Sequence, residues 1–373
     1  MGQGSYLFYY IFPIVICIIA FVGYKKPKTG FLIMLILLFF SMFRGDNVGN
    51  DTKNYMDTNR IQYRGGNLEV EFNKDYLLEN FGNKTELIDI ALNRIVYGFN
   101  LPPRVIIWCY ALINILVLYR SLRKLKVNTS IGLLIYVLLG YYYFSLSAAR
   151  QMAAVSIVLY AFTFMIQNDG DKSYKILSLK SNFVKFVLFV GIASMIHASA
   201  IFFIVVYPLR YLHINKSLIV MLLCTCCAIC IIFSIDPMSY IYSFFNFEYI
   251  TRYMGLYDET GRSLMGKIND IIISSIFIYF FIIGTKEKTC VFDNIYALAI
   301  ILMLLFVQNS GLLSRITYYI TIFISVYLSK VLIENKDVDK KTNISFVIYV
   351  VLSIYSIGGY GTALTSGYYL MAF

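Results

Sequence analysis

Charge is scarce in this chain. Asp, Glu, Lys and Arg together make up 14% of its residues, where soluble proteins carry about 25%. Apolar types reach 59% and the mean hydropathy is +0.69. That is more apolar surface than one globular core hides, which excludes an ordinary soluble domain. Acid is the scarcer sign, with 21 acidic against 32 basic residues and a net charge of +11. A surplus of this kind points to nucleic acid when it forms a surface patch. Here the Lys and Arg stand in short clusters between long apolar runs, so no nucleic-acid partner is expected. No zinc-type spacing is present. Cys224, Cys226, Cys227 and Cys230 crowd one apolar run with no His or acid nearby and read as small, soft packing residues. Cys17, Cys109 and Cys290 are isolated, which leaves no disulfide framework. The first apolar run lacks a basic leader and a small-residue cleavage site, so it reads as a retained span. No internal repeat, low-complexity tract or DxD-like acidic pair stands out, and no metal or cofactor is expected.

What is present is a series of apolar runs of helical length, since a spanning helix needs about 20 mostly apolar residues. Spans are expected near 6–23, 29–43, 103–119, 129–147, 149–167, 183–196, 198–212, 217–234, 268–284, 292–308, 313–333 and 344–362. The fold class is therefore all-α, a polytopic integral membrane helix bundle of about twelve segments. A single transmembrane domain over 1–373 is expected, with outer loops near 44–102 and 235–267. Phe183 to Leu212 reads either as one long tilted helix or as two short ones broken near Ser194 to Ser199. Loop charge decides. Basic clusters follow the first, third and fifth spans, Arg210 and Lys216 flank the next turn, and further clusters stand at Lys286–Lys288 and Lys336–Lys341. All fall on one side only if 183–212 is a hairpin, which the positive-inside rule favours. Two segments of about 14 residues are too short to cross alone and would be buried in protein or line a cavity. A stretch near Leu87 to Tyr97 is amphipathic and reads as a helix at the outer interface.

Polar groups at membrane depth are costly and so become functional candidates. Arg44-Gly-Asp-Asn-Val-Gly-Asn-Asp51 follows the second span, and a turn on Gly45 and Gly49 would bring Arg44 and Asp51 over the mouth of the bundle. Arg150 lies between two apolar runs beside small residues, with no acidic neighbour in sequence and no turn-forming residue, so it should begin a helix. Its planar fork suits phosphate. His197 marks the expected break in 183–212, and Arg315 opens a late span. On this topology Arg44, Asp51, Arg150, His197 and Arg315 all fall on the outer side. Such a cationic face suits a lipid-borne phosphate or pyrophosphate.

At these residues the chain resembles the EpsG-like, Wzy-type bacterial polysaccharide polymerases. The motifs are Phe43-Arg44, Gly49-Asn50-Asp51 and Tyr55, then Thr85-Glu86, Arg150-Gln151-Met152-Ala153, His197-Ala198-Ser199-Ala200 and Ser314-Arg315-Ile316-Thr317-Tyr318-Tyr319. Their order covers the chain from about 40 to 320. Asn50 stands where the family more often has Thr, and both are small and hydrogen-bonding. The resemblance implies an integral-membrane, GT-C-type glycosyltransferase of the bacterial cytoplasmic (inner) membrane. It would join polyprenyl-pyrophosphate-linked oligosaccharide repeats on the outer face, making O-antigen, capsule or exopolysaccharide. A chain-length regulator is an implied partner.

Such chemistry needs cations for the leaving pyrophosphate, for which Arg150 and Arg315 are the candidates with Arg44 in support. It needs a base for the acceptor hydroxyl: His197 first, then Asp51 or Glu86. Gln151, Tyr55, Tyr318 and Ser199 are supporting substrate-binding candidates. A flippase for the same lipids and a sugar acyltransferase are the rival readings. The missing internal symmetry and the lopsided 44–102 loop speak against a transporter. His197 has no acid nearby in sequence, which speaks against an acyltransferase.

Overall fold

The structure is a computed structural model and describes residues 4–45, 48–49, 51–52, 54–56, 87–166, 176–233, 264–306, 314–334 and 345–354. Glu86 and the outer loop from 235 to 263 lie outside the described residues. Among the described residues the regular structure is helical, with one isolated β-bridge, Asn215 with Lys288. The chain falls into two compact units. The first holds 1–25, 130–140 and 208–373, and the second holds 26–129 and 141–207.

The second unit contains α2 (Pro27–Met42), α3 (Leu87–Gly98), α4 (Arg104–Lys124), α6 (Tyr141–Ser147), α7 (Ala149–Ile166) and α8 (Ile176–Ile196). A 3-10 helix (Ala198–Tyr211) continues it as far as Tyr207. Helix α2 opens on Pro27 in its first turn, where a missing N–H costs nothing. Helix α7 is the centre of this unit. Of its 18 residues only Arg150 and Tyr160 are not fully buried, and α4 and α8 pack along it. Ser156 Oγ donates to Asn114 Oδ1 at 2.7 Å, a buried polar tie between α7 and α4 of the kind that joins helices in an apolar medium.

The first unit contains α1 (Gly4–Gly23), α5 (Thr129–Leu138), α9 (Lys216–Cys227) with a short π-helical extension (Ala228–Ile232), α10 (Leu264–Gly284), α11 (Val291–Leu305), α12 (Ser314–Thr321) and α13 (Phe323–Glu334). A further apolar helix covers Ser345–Ile354. Asn215 caps α9 by accepting the Ser217 N–H at 2.8 Å. Asp293 caps α11 by accepting the Cys290 N–H at 2.8 Å.

Several outward faces are apolar. Val22 on α1 and Val205 on the 3-10 helix are each 78% exposed, and Phe31, Phe39, Leu188 and Met221 are exposed as well. A water-soluble chain does not present apolar faces on helix after helix; lipid accepts them. Helices α4 and α7 are long and apolar enough to cross a membrane, and α5 with α6 adds a third if the broken pair is one span. This is a helical membrane protein.

Among the described residues a helix falls on each expected run, with residues 355–362 of the last run outside them, and the differences have physical causes. The 129–147 run is broken because Gly140 takes φ +76°, a left-handed stop that suits glycine. The 313–333 run is broken at Ile322 between α12 and α13. Helix α4 carries on through Arg120, Arg123 and Lys124, whose charges suit a helix C-terminus. Lys124 Nζ also lies 3.5 Å from the centre of the Phe164 ring on α7.

The segment 176–211 is a hairpin that turns at His197. The Tyr207 ring lies 4.9 Å from Phe183 and 5.1 Å from Phe186, so the 3-10 helix runs back along α8. The buried residues Ala200, Phe203 and Val206 and the exposed Phe202 and Val205 both recur every third position, the period of a 3-10 helix. The two limbs are also longer than their apolar cores. Helix α8 has 21 residues, about 31 Å at 1.5 Å each. The 3-10 helix has 14 residues, about 28 Å at 2.0 Å each. Both approach the roughly 30 Å of a hydrocarbon core, so length alone does not force either limb into a cavity.

Candidate functional site

The candidate site lies in the second unit, where the turn after α2 packs onto the end of α6. The turn closes by backbone hydrogen bonds from Val48 to Gly45 (3.1 Å) and from Thr52 to Gly49 (3.2 Å). Gly49 has φ +81°, and a Cβ there would land on the Leu146 carbonyl. Only glycine fits this place. Thr52 Oγ1 is near the carbonyls of Val48 (2.8 Å) and Leu146 (3.2 Å), and the Trp108 indole N–H donates to Met42 O at 3.0 Å. The turn is thus fastened from α4 and α6.

This fastening buries Arg44, which is 7% exposed. Its Nε donates to Thr52 Oγ1 at 3.1 Å and its Nη1 to Ser41 O at 2.9 Å, while Nη2 is buried with no hydrogen-bond partner. Ser147 Oγ, one residue beyond the Leu146 carbonyl, is likewise buried and unpartnered. Burial pulls the Arg44 guanidinium down to about 10, and neighbouring Arg104 adds to the shift. It stays a cation at neutral pH.

Arg150 opens α7 as the second residue of the helix. Its Nη1 meets Asp89 Oδ2 at 3.0 Å, and its guanidinium lies 5.4 Å from the centre of the Tyr55 ring. Asp89 also accepts from Tyr110 Oη at 2.5 Å, and the Tyr55 and Tyr110 rings are 6.1 Å apart. Burial pushes the Tyr55 hydroxyl up to about 12, against the pull of Arg150 and with a push from Asp51. Tyr55 is within electrostatic reach of both Arg44 and Arg150. The structure therefore brings together Arg44, Asp51, Tyr55 and Arg150, with Gln151 buried next to Arg150.

His197 and Ser199 occupy the bend of the hairpin, half-buried. Tyr318 is buried in the first unit on α12. Arg315 is on the same helix, with its side chain outside the described residues, as is all of Glu86.

Asp89, Thr52, Tyr110 and Arg104 are members of the cluster that the sequence did not single out. Arg150 has no acid near it in sequence, and its partner comes from 61 residues away. One signal was present. Asp89 is the acidic residue in the first turn of the amphipathic stretch that forms α3.

The EpsG family profile matches residues 27–366, about nine-tenths of the chain. The protein belongs to the EpsG family. The match encloses the Arg44–Asp51 turn, Arg150, His197 and Arg315 alike, so every motif of the resemblance lies within EpsG family sequence. No curated protein and no solved structure matches the chain.

Proposed function

We propose that this EpsG-family protein is a polysaccharide polymerase. It joins polyprenyl-pyrophosphate-linked oligosaccharide repeats on the outer face of the bacterial cytoplasmic membrane, in a bundle of about twelve spans of the GT-C type. The observation that carries this reading is the buried Arg44, with one guanidinium nitrogen unengaged, sharing Tyr55 with Arg150 in a chain of this family.

In the reaction the acceptor sugar hydroxyl attacks the anomeric carbon of the growing chain. The carbon–oxygen bond to the pyrophosphate breaks, and the polyprenyl pyrophosphate leaves with the electron pair. The hydroxyl proton passes to a base, with His197 first and Asp51 or Glu86 next. Arg44 and Arg150 meet the charge that develops on the leaving group, and Arg315 enters on its motif as a further cation. Gln151, Tyr55, Ser199 and Tyr318 hold the sugars and phosphates. A fixed cation aimed at developing charge is worth about 10²–10³ in rate. The chemistry runs without a metal ion in this reading.

Purified protein given lipid-linked repeats in detergent should build a ladder of longer chains, and should do so equally in excess EDTA. Arg150→Ala and Arg315→Ala should each reduce the ladder to single repeats, by about a hundredfold or more in rate. A full-length ladder in both variants removes the assigned roles. Movement of lipid-linked repeats across proteoliposomes without elongation would assign the protein to the flippases.

A further inference from the structure

At one end of the first unit two basic loops are zipped together. The Thr289 N–H donates to Ile214 O at 3.0 Å, the Ile214 N–H to Thr289 Oγ1 at 3.0 Å and the Lys216 N–H to Glu287 O at 2.9 Å. His213 Nδ1 is 3.1 Å from Thr289 O, and Lys216 Nζ donates to the carbonyls of Ile282 and Thr285 at 2.5 and 2.9 Å. The loop from Thr285 to Cys290 is therefore a fixed piece of backbone.

Beside it lies a cavity of about 280 Å³ lined by Gly284, Lys286, Lys288, Cys290, Asp293, Tyr327, Lys330 and Val331. Three ammonium groups border it against one carboxylate. Asp293 is already engaged, with Oδ1 accepting from Thr285 Oγ1 (3.0 Å) and Tyr327 Oη (3.2 Å) and Oδ2 from the Cys290 N–H. Gly284 lets the loop close on α13. A Cβ there would meet Tyr327 Oη and Val331 Cγ2 at 2.6 Å each. Lys330 Nζ is poised 4.1 Å from the centre of the Phe292 ring. The volume sits at the lower edge of small-molecule sites, about 300–1,000 Å³, and suits a compact anion rather than a sugar chain.

We propose that this cavity is a binding site for a phosphate-bearing anion, held by Lys286, Lys288 and Lys330. The ligand is either the headgroup of an acidic phospholipid or free phosphate. Clustered lysines attract anionic headgroups by about 1 kcal/mol each, close to fivefold in affinity per lysine. The site lies in the first unit and takes no residue from the polymerisation chemistry proposed above, so the two readings stand or fall separately.

Native mass spectrometry on the delipidated full-length protein tests the lipid arm, with phosphatidylglycerol and phosphatidylcholine re-added in turn. Thermal protection by inorganic phosphate tests the other arm. The wild type should retain one phosphatidylglycerol, or be protected by phosphate, and should not retain phosphatidylcholine. The K286Q/K288Q variant changes only exposed side chains and should weaken that binding at least tenfold; Lys330→Gln should weaken it about fivefold. A lysine elsewhere, Lys25→Gln, should leave it unchanged. Retention of phosphatidylglycerol without phosphate protection identifies a lipid site, and the converse identifies a free-phosphate site. Binding of neither by the wild type, equal binding by K286Q/K288Q, or an equal loss in Lys25→Gln overturns the proposal.

Discussion

Gly49 and Gly45 stand four residues apart in one turn and meet different constraints. At Gly49 the backbone is left-handed and the Leu146 carbonyl occupies the place of a side chain. At Gly45 the nearest atom to an added Cβ is Val48 Cγ2 at 3.9 Å. Gly49→Ala should therefore cost about 1–3 kcal/mol from strain alone, with the collision added. Gly45→Ala should stay within about 0.5 kcal/mol. Thermal unfolding of the two variants in detergent checks this, and equal midpoints would refute the account of the turn. Arg44 depends on the same turn. Its Nε and Nη1 reach two acceptors in different directions, which a lysine ammonium on a flexible stem does not reproduce. Arg44→Lys should lose polymer length almost as fully as Arg44→Ala, read from the polysaccharide made in a complemented deletion strain. Normal chains from Arg44→Lys would show that charge alone is needed there.

At the scale of elements, α3 carries Asp89 to Arg150 and Tyr110. Asp89 is a positioning residue, since it aims the Arg150 guanidinium. Asp89→Asn keeps an acceptor for Tyr110 and removes the charge. The pair is part-exposed, so its loss should cost no more than about 1 kcal/mol of stability. Elongation should slow about tenfold in Asp89→Asn, mainly through weaker substrate binding, and unfolding should shift little. A wild-type rate would leave the ion pair without a functional role. The helix itself was legible in the sequence, because apolar residues recur at helical spacing through Leu87, Ile90, Ala91 and Ile95. The pairing was not, because nothing local links Asp89 to Arg150. The hairpin at His197 was legible for a different reason, the side on which basic clusters must fall. Its 3-10 limb was not, because hydropathy is blind to the difference between three and 3.6 residues per turn. The breaks at Gly140 and Ile322 escaped for the same reason: an apolar run does not announce a kink.

For the whole molecule the open quantity is the path of the chain through the bilayer, and the loops supply a test. Charge alone puts the Arg210–Lys216 and Lys286–Lys288 clusters on one side. Within the first unit they hydrogen-bond to each other, an arrangement opposite sides do not permit. In the second unit α4 separates the turn at Asn100 from the basic end at Lys126 by a helix of 21 residues, about a membrane thickness. Cysteines at the exposed positions Asn100 and Lys126 sample the two ends of α4, one at Ala198 samples the hairpin bend and one at Glu287 samples the zipped basic loops. Native Cys290 interferes little, because burial pushes its thiol up to about 11 and keeps it protonated at neutral pH. In intact cells a membrane-impermeant maleimide should label Asn100→Cys and Ala198→Cys, and should reach Lys126→Cys and Glu287→Cys only after permeabilisation. Asn100→Cys and Ala198→Cys on opposite sides would place the Arg150 end of the unit and the His197 bend in different leaflets. One reaction centre could not then use both, and the proposed general base would have to come from the Asp51 turn instead.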